Sequence, residues 1–174
     1  MLRKTLRQYV ISKIVSVLLV GTAWAVPNNV MTFAHAVAKA EGFYNHGTIP
    51  NLCHNPGDLK GKHFTGQIGL CKGGHARFAD DAYGWDALYS QIEKMISGNS
   101  RIYHTDMTLR DVSRAWAGNS RVWLKNVCEM LSIQPNDTLS QYFDINRQNY
   151  VTELKELEKE LEKSWDWRDY ERGE

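Results

Sequence analysis

Glu41 is the residue best placed for chemistry, since it lies where an apolar helical stripe meets a loop rich in glycine and aromatic residues. Residues on one face of an α-helix recur at the spacings found for Val30, Ala34, Val37, Ala38 and Glu41. A carboxyl at the edge of such a face loses hydration, so we expect its pKa to rise. An acid that keeps its proton near neutral pH can cleave a glycosidic bond. The structural alternative is a partly solvated glutamate in the last turn of a helix.

The spacing of the acidic residues does not identify a second catalytic acid. Asp58 belongs to an Asn-Pro-Gly-Asp loop, and Asp80 and Asp81 follow a predicted strand. Aspartate next to glycine commonly forms a turn, and Asp81 fits a helix N-cap. We therefore keep Asp58 as a candidate catalytic residue beside Glu41, with the turn as its structural alternative.

The three cysteines suggest a crosslink in the loop-rich segment. Cys53 and Cys71 could form a disulfide in an oxidising compartment, which would stabilise the fold by roughly 3 kcal/mol. Cys128 lies in an apolar helical pattern and is predicted to be a buried free thiol. A zinc site is the alternative use of the nearby cysteines and histidines, namely Cys53, His54, His63, Cys71 and His75. Their spacing fits no familiar zinc motif, so we predict neither a metal nor a cofactor.

The first 25 residues have the pattern of a secretory signal. Basic residues precede a short apolar run over residues 14–21, and Ala23-Trp24-Ala25 supplies small residues before a cut ahead of Val26. The run is short for a transmembrane span, although an uncleaved anchor is the alternative. We expect an exported protein, periplasmic or extracellular, that touches the membrane only through this segment.

Composition limits the class of protein. With 43% hydrophobic and 24% charged residues, the chain can form a globular core. Its net charge of +1 at pH 7 argues against a nucleic-acid binder, which would carry a basic surplus.

The elements that must position Glu41 are mostly helical. Helices are predicted from residues 27–29 to Glu41, after Asp81 to Gly98, from a Thr108–Asp111 capping box to Gly118, and around residues 124–131. Between the first two helices, residues 67–71 and 75–79 are predicted to form a small β-hairpin. The fold class is therefore mainly α, with a minor β component. A last helix follows a turn at residues 135–138.

Three segments share their order with a known family. They are Ala40-Glu41-Gly42-Phe43-Tyr44, Asn55-Pro56-Gly57-Asp58-Leu59-Lys60, and Ala76-Arg77-Phe78 leading to Gly84-Trp85-Asp86-Ala87-Leu88. With the later Asp106-Met107-Thr108-Leu109 and Trp116-Ala117, they resemble the lysozyme-like, lytic-transglycosylase-like domains of bacterial and phage peptidoglycan-cleaving proteins. The resemblance covers about residues 29–140. The Gly-Leu-Met-Gln segment found after the catalytic glutamate in many transglycosylases is missing.

The resemblance implies a helical domain with a β-hairpin beside an active cleft. Glu41 would protonate the glycosidic oxygen between N-acetylmuramic acid and N-acetylglucosamine, then act as base on water or on the sugar's C6 hydroxyl. Candidate substrate contacts are Tyr44, Asn55, Phe78 and Trp116, each with a core or turn role as its alternative. A non-catalytic wall-binding or virion structural protein is the main functional alternative, and a zinc hydrolase is a further one.

These expectations divide the chain into three parts. Residues 1–25 form the signal, residues 26–145 the lysozyme-like domain, and residues 146–174 a charged helical extension. The extension carries a narrow apolar stripe of Tyr150, Leu154, Leu157 and Leu161. It is either a solvated helical tail or a helix that binds a protein partner.

Overall fold

The structure, a computed structural model, describes residues 28–164. It is mainly helical with one small antiparallel sheet, as predicted. The elements are α1 (Asn28–Glu41), α2 (Ile49–Leu52), β1 (Gln67–Leu70), β2 (Ala76–Phe78), α3 (Asp81–Ile96), α4 (Leu109–Ala117), α5 (Arg121–Leu131) and α6 (Leu139–Ser164). The predicted signal, residues 1–25, lies outside the described residues.

Helix α1 is central to the fold because it packs against both α5 and α3. The predicted stripe is confirmed, since the four apolar residues that precede Glu41 in it are fully buried. Gly42 has a φ of 80°, and its N–H donates to the carbonyl of Lys39 while Phe43 N donates to Ala38 O. These two bonds form a Schellman motif, which ends the helix and leaves Glu41 at its C-terminus.

The hairpin lies within one residue of its predicted bounds at each end. In the antiparallel register Gln67 pairs with Phe78 and Leu70 with Ala76, with an irregularity between Gln67 and Gly69. A short 3-10 turn at Lys72–Gly74 connects the strands. Ala76 and Phe78 face the core, whereas most of β1 is exposed.

Helices α3, α4 and α5 each begin after a residue whose side chain caps the N-terminus. The Thr108–Asp111 capping box at α4 is confirmed, and Ser120 caps α5. The N-cap of α3 is Asp80, whose side chain accepts from Tyr83 N, so the prediction of Asp81 was wrong by one residue. Both aspartates fit the local pattern, but the extended backbone at Asp80 gives it the capping role.

The chain divides into two units. The described residues up to Asp144 form the first, whose core includes Phe33 in contact with the rings of Tyr142 and Phe143. Cys128 is buried and is not in a disulfide, as predicted.

The rest of α6, from Ile145 to Ser164, belongs to the second unit. Of the predicted stripe, Leu157 is 49% exposed, and the side chains of Tyr150 and Leu161 lie outside what the structure describes. Among the described helices, none is long and apolar enough to cross a membrane.

Candidate active site

The Glu41 carboxyl is held between two helices. It is half-buried at the end of α1, and its Oε1 accepts a hydrogen bond of 2.8 Å from the indole Nε1 of Trp123 on α5. Trp123 is itself only 3% exposed, so the donor is fixed by packing. The packing of α1 on α5 therefore sets the direction of this carboxyl.

The environment of Glu41 favours its neutral form. Burial, followed by repulsion from Asp58, raises its pKa from 4.5 to about 7. The indoles of Trp123 and Trp116 and the Lys60 ammonium act in the opposite direction, but they are weaker. Glu41 can consequently give up and take back a proton near neutral pH.

Three aromatic rings form a continuous wall next to Glu41. The centroids of Tyr103 and Trp116 are 5.8 Å apart, and those of Trp116 and Trp123 are 6.4 Å apart. Burial, and to a lesser degree Glu41, raises the pKa of Tyr103 to about 12, so its hydroxyl stays neutral. Trp116 is half-buried and also packs against the core cluster that includes the hairpin residues Ala76 and Phe78. Part of the Trp116 ring therefore contributes to the fold.

Asp58 is the second carboxyl of the site. Its backbone has a φ of 48°, and its Oδ1 lies 2.7 Å from His75 Nδ1. The ring is aligned for a hydrogen bond to the Asp58 carbonyl at 3.1 Å, so among described groups the buried Oδ1 lies close to Nδ1 without an aligned donor. Burial raises the pKa of Asp58, and His75 and then Lys60 oppose that rise.

A disulfide joins Cys53 to Cys71, the pair predicted from sequence, and it closes the segment that carries Asp58. Phe78 N donates to Cys53 O, and Cys71 N donates to His75 O. The crosslink and these bonds tie the Asp58 loop to the hairpin.

Asn55 does not have the substrate-binding role predicted for it. Its side chain is fully buried, and its Nδ2 donates to the carbonyls of Leu59 and Ala76, each at 2.9 Å. Its Oδ1 accepts from Leu59 N. All of these bonds satisfy main-chain groups, so Asn55 shapes the loop that carries Asp58.

Two of the predicted sugar platforms lie elsewhere. Phe78 is fully buried in the core beneath the hairpin, so the prediction for it was wrong. Tyr44 is 54% exposed, but it belongs to a separate aromatic group in which its hydroxyl lies 2.6 Å from His35 Nδ1 and Phe43 packs on Trp85. Of the four candidates, Trp116 is the one that acts on Glu41 directly.

Several residues that surround Glu41 could not be predicted from the sequence. Trp123 recurs with Val127 and Leu131 on the buried face of α5, a pattern that indicates burial but not a carboxylate partner. Tyr103 lies in an irregular segment after α3, and no local pattern marks it. Lys60 and His75 face each other in an isolated β-bridge that neither residue predicts alone.

The zinc alternative loses its thiolate ligands to the disulfide. Within residues 28–164, moreover, no group of three or more histidine, cysteine, aspartate or glutamate side chains is arranged to hold a metal ion.

Comparison of the chain with protein-family models, curated proteins and solved structures gives no match. The geometry around Glu41 is therefore the basis on which a function is inferred.

Proposed function

We propose that this protein cleaves the glycan strands of peptidoglycan, with Glu41 as the general acid and base. The observation that carries the proposal is the placement of the Glu41 carboxyl at a helix end, half-buried, hydrogen-bonded to Trp123 and lined by aromatic rings. The raised pKa of this carboxyl supports it. The order of motifs that resembles lysozyme-like domains supplies the substrate class.

The proposed reaction begins with proton transfer from Glu41 to the glycosidic oxygen. The bond between C1 of N-acetylmuramic acid and that oxygen breaks, N-acetylglucosamine leaves with the proton, and positive charge develops at C1. The Glu41 carboxylate then takes a proton from the incoming nucleophile, which restores the acid. Water as nucleophile gives a reducing end, and the C6 hydroxyl of the same sugar gives a 1,6-anhydro product.

The surroundings of Glu41 fit both halves of this cycle. Burial keeps the acid protonated before the bond breaks, and the indole of Trp123 stabilises the carboxylate that forms afterwards. A negative charge at Asp58 would also stabilise the positively charged transition state. The half-buried Trp116 offers a ring against which a sugar can stack.

The proposed fold and setting follow from the same resemblance. We assign the described part up to Asp144 to a lysozyme-like domain, in which the hairpin flanks the cleft that holds Glu41. An exported chain would meet its substrate in the periplasm or outside the cell, where the Cys53–Cys71 disulfide persists. That the C-terminal helix binds a protein partner is likewise only proposed.

Purified sacculi test the proposal. We expect the mature protein to release soluble muropeptides, and Glu41→Gln to reduce the release to background while its circular dichroism spectrum and thermal unfolding remain those of a folded protein. Glu93→Gln, which changes an exposed glutamate of α3, is the matched control and should stay fully active.

Mass spectrometry of the soluble products separates the possible outcomes. Anhydro-muropeptides identify a lytic transglycosylase, and reducing-end products identify a muramidase. Sacculi that are bound but never cleaved by the wild-type protein would contradict the enzymatic proposal and favour the non-catalytic wall binder. Peptide fragments whose release is blocked by a chelator would point to the zinc hydrolase instead.

A further inference from the structure

Two histidine–aspartate pairs occur in the described part of the chain, and their surroundings differ. His75 and Asp58 are 2.7 Å apart, with only 12% and 23% of their side chains exposed. His54 and Asp81 are 2.6 Å apart, but they are 46% and 58% exposed. Ionic contacts between exposed groups contribute little, because water screens them. The first pair is thus the one whose charges can act on a neighbouring group.

His75 is fixed in place by its main chain. Lys60 and His75 form an antiparallel bridge, Ala76 N donates to Leu59 O at 2.8 Å, and Cys71 N donates to His75 O at 2.7 Å. The imidazole therefore approaches Asp58 from the residue before β2, in a segment that the disulfide and the hairpin both restrain. Asp58 in turn has a left-handed backbone, which aspartate tolerates better than most residues.

The carboxylate of Asp58 presents different sides to His75 and to solvent. Oδ1 is buried against the imidazole. The exposed 23% of the side chain therefore comes from its other atoms. One oxygen is thus buried against the protein while other atoms of the side chain remain accessible to solvent.

We infer that His75 is a positioning residue, which holds the Asp58 carboxylate as a fixed negative charge within electrostatic reach of Glu41. The inference rests on the proposed function for its chemical purpose, since that charge keeps the acid protonated and later opposes the positive charge at C1. His75 reaches the substrate only through Asp58, so it is not itself a catalytic residue.

The charged groups that act on Asp58 are His75 and Lys60, and Asp58 in turn acts on Glu41. His75 is the strongest of the influences that favour the charged form of Asp58, and Lys60 follows it. Burial already outweighs His75 and Lys60, so without His75 the pKa of Asp58 rises further. The reaction would then fail at the acid end of its pH range, where Asp58 becomes neutral.

The deciding experiment is an NMR titration of the side-chain carboxyl carbons in the full chain. His75→Ala should move the titration midpoint of Asp58 to higher pH. Asp58→Asn should lower the midpoint of Glu41, because the repulsion is lost. His54→Ala removes the exposed pair and is the matched control, with both midpoints unchanged. If His75→Ala does not fold, His75→Gln decides, since its amide is displaced from the position of Nδ1 and cannot carry a charge.

The same variants are then assayed on sacculi over a range of pH. We expect His75→Ala to lose about tenfold in rate near neutral pH, with the acid limb of the profile shifted upward. His75→Asn, whose amide nitrogen replaces Nδ1 but carries no charge, should show the same upward shift of the acid limb. A rate loss with an unshifted profile in these variants would overturn the inference, since a merely structural role would behave in that way.

The titration tests the electrostatic arrangement and the assay tests the proposed function, so either can give a negative result without the other. An unchanged Asp58 midpoint in a folded His75 variant overturns the inference, whether or not the protein cleaves sacculi. A shifted midpoint in a protein that cleaves nothing supports the electrostatic arrangement and contradicts the proposed function.

Discussion

At the scale of single residues, the protonation of Glu41 results from opposing neighbours. Burial and Asp58 favour the neutral acid, whereas two indoles and Lys60 favour the carboxylate. The sequence could predict the first influence, since the apolar stripe that ends at Glu41 is local. It could not predict Trp123, which is 82 positions away and is brought to Glu41 only by the packing of two helices.

Trp123→Phe should move the alkaline limb of the activity profile to higher pH. The substitution removes a hydrogen bond that stabilises the Glu41 carboxylate, so the pKa of Glu41 rises above its value of about 7. Lost packing should also lower the free energy of unfolding by about 1–3 kcal/mol. Rates of muropeptide release between pH 5 and 9 would measure the limb.

Trp85→Phe is the control for that change, because Trp85 packs with His35, Phe43 and Tyr89 and is not among the groups that shift the pKa of Glu41. A limb that stays in place or moves to lower pH in Trp123→Phe would contradict the assigned role of the indole.

Glu41→Gln should change the pH dependence of stability. The folded-state pKa lies above the ordinary value of 4.5, so the stability linked to the proton is fully present below pH 4.5 and is lost as pH rises through about 7. The wild-type protein should therefore lose about 3 kcal/mol relative to the variant between pH 4 and 8, because the pKa rises from 4.5 to about 7 on folding. Urea unfolding at the two pH values measures this difference, and equal differences at both would contradict it.

At the scale of elements, a close backbone contact locks α3 to the loop before Asp58. A Cβ at Gly84 would overlap the carbonyl oxygen of His54 and lie 2.8 Å from Pro56 Cδ. The sequence predicted α3 and the loop separately, because each has local signals. The contact between them has no local signal in the sequence. The buried position of Asn55 has none either, so neither could be predicted.

Gly84→Ala should lower the free energy of unfolding by about 2–3 kcal/mol, because the clash is with main chain that cannot rotate away. The displaced loop carries Asp58, so activity should fall as well. Gly69→Ala is the matched control: a Cβ there meets nothing within 4 Å, and stability should stay within about 0.5 kcal/mol. Equal stability losses in the two variants, measured by urea unfolding, would contradict the assigned contact.

At the scale of the whole molecule, the first unit is closed by its own last residues. Leu139 is fully buried, and Tyr142 and Phe143 contact Phe33 near the start of α1. The sequence predicted a boundary between residues 145 and 146, ahead of a segment, residues 153–163, that consists of glutamate, lysine and leucine. It could not predict which side chains would meet Phe33.

Two truncations test this division. A chain that ends at residue 152 should unfold within a few degrees of the full chain, because it retains the core residues of the first unit. A chain that ends at residue 138 lacks Leu139, Tyr142 and Phe143, and it should lose more than about 5 kcal/mol and fail to fold. Circular dichroism during heating measures both. A folded shorter chain, or an unfolded longer one, would contradict the boundary.

The disulfide makes the stability of the loop that carries Asp58 depend on redox conditions. Cys53 and Cys71 are 18 positions apart, and the segment between them carries Asp58. While the chain is in reducing surroundings, the thiols stay separate, and closing this loop is less favourable by roughly 3 kcal/mol. Oxidation therefore favours the closed form of the loop that carries Asp58. Under the proposed function, reduction of this pair would lower the stability of the loop that carries Asp58, and activity would then depend on the redox state of the surroundings.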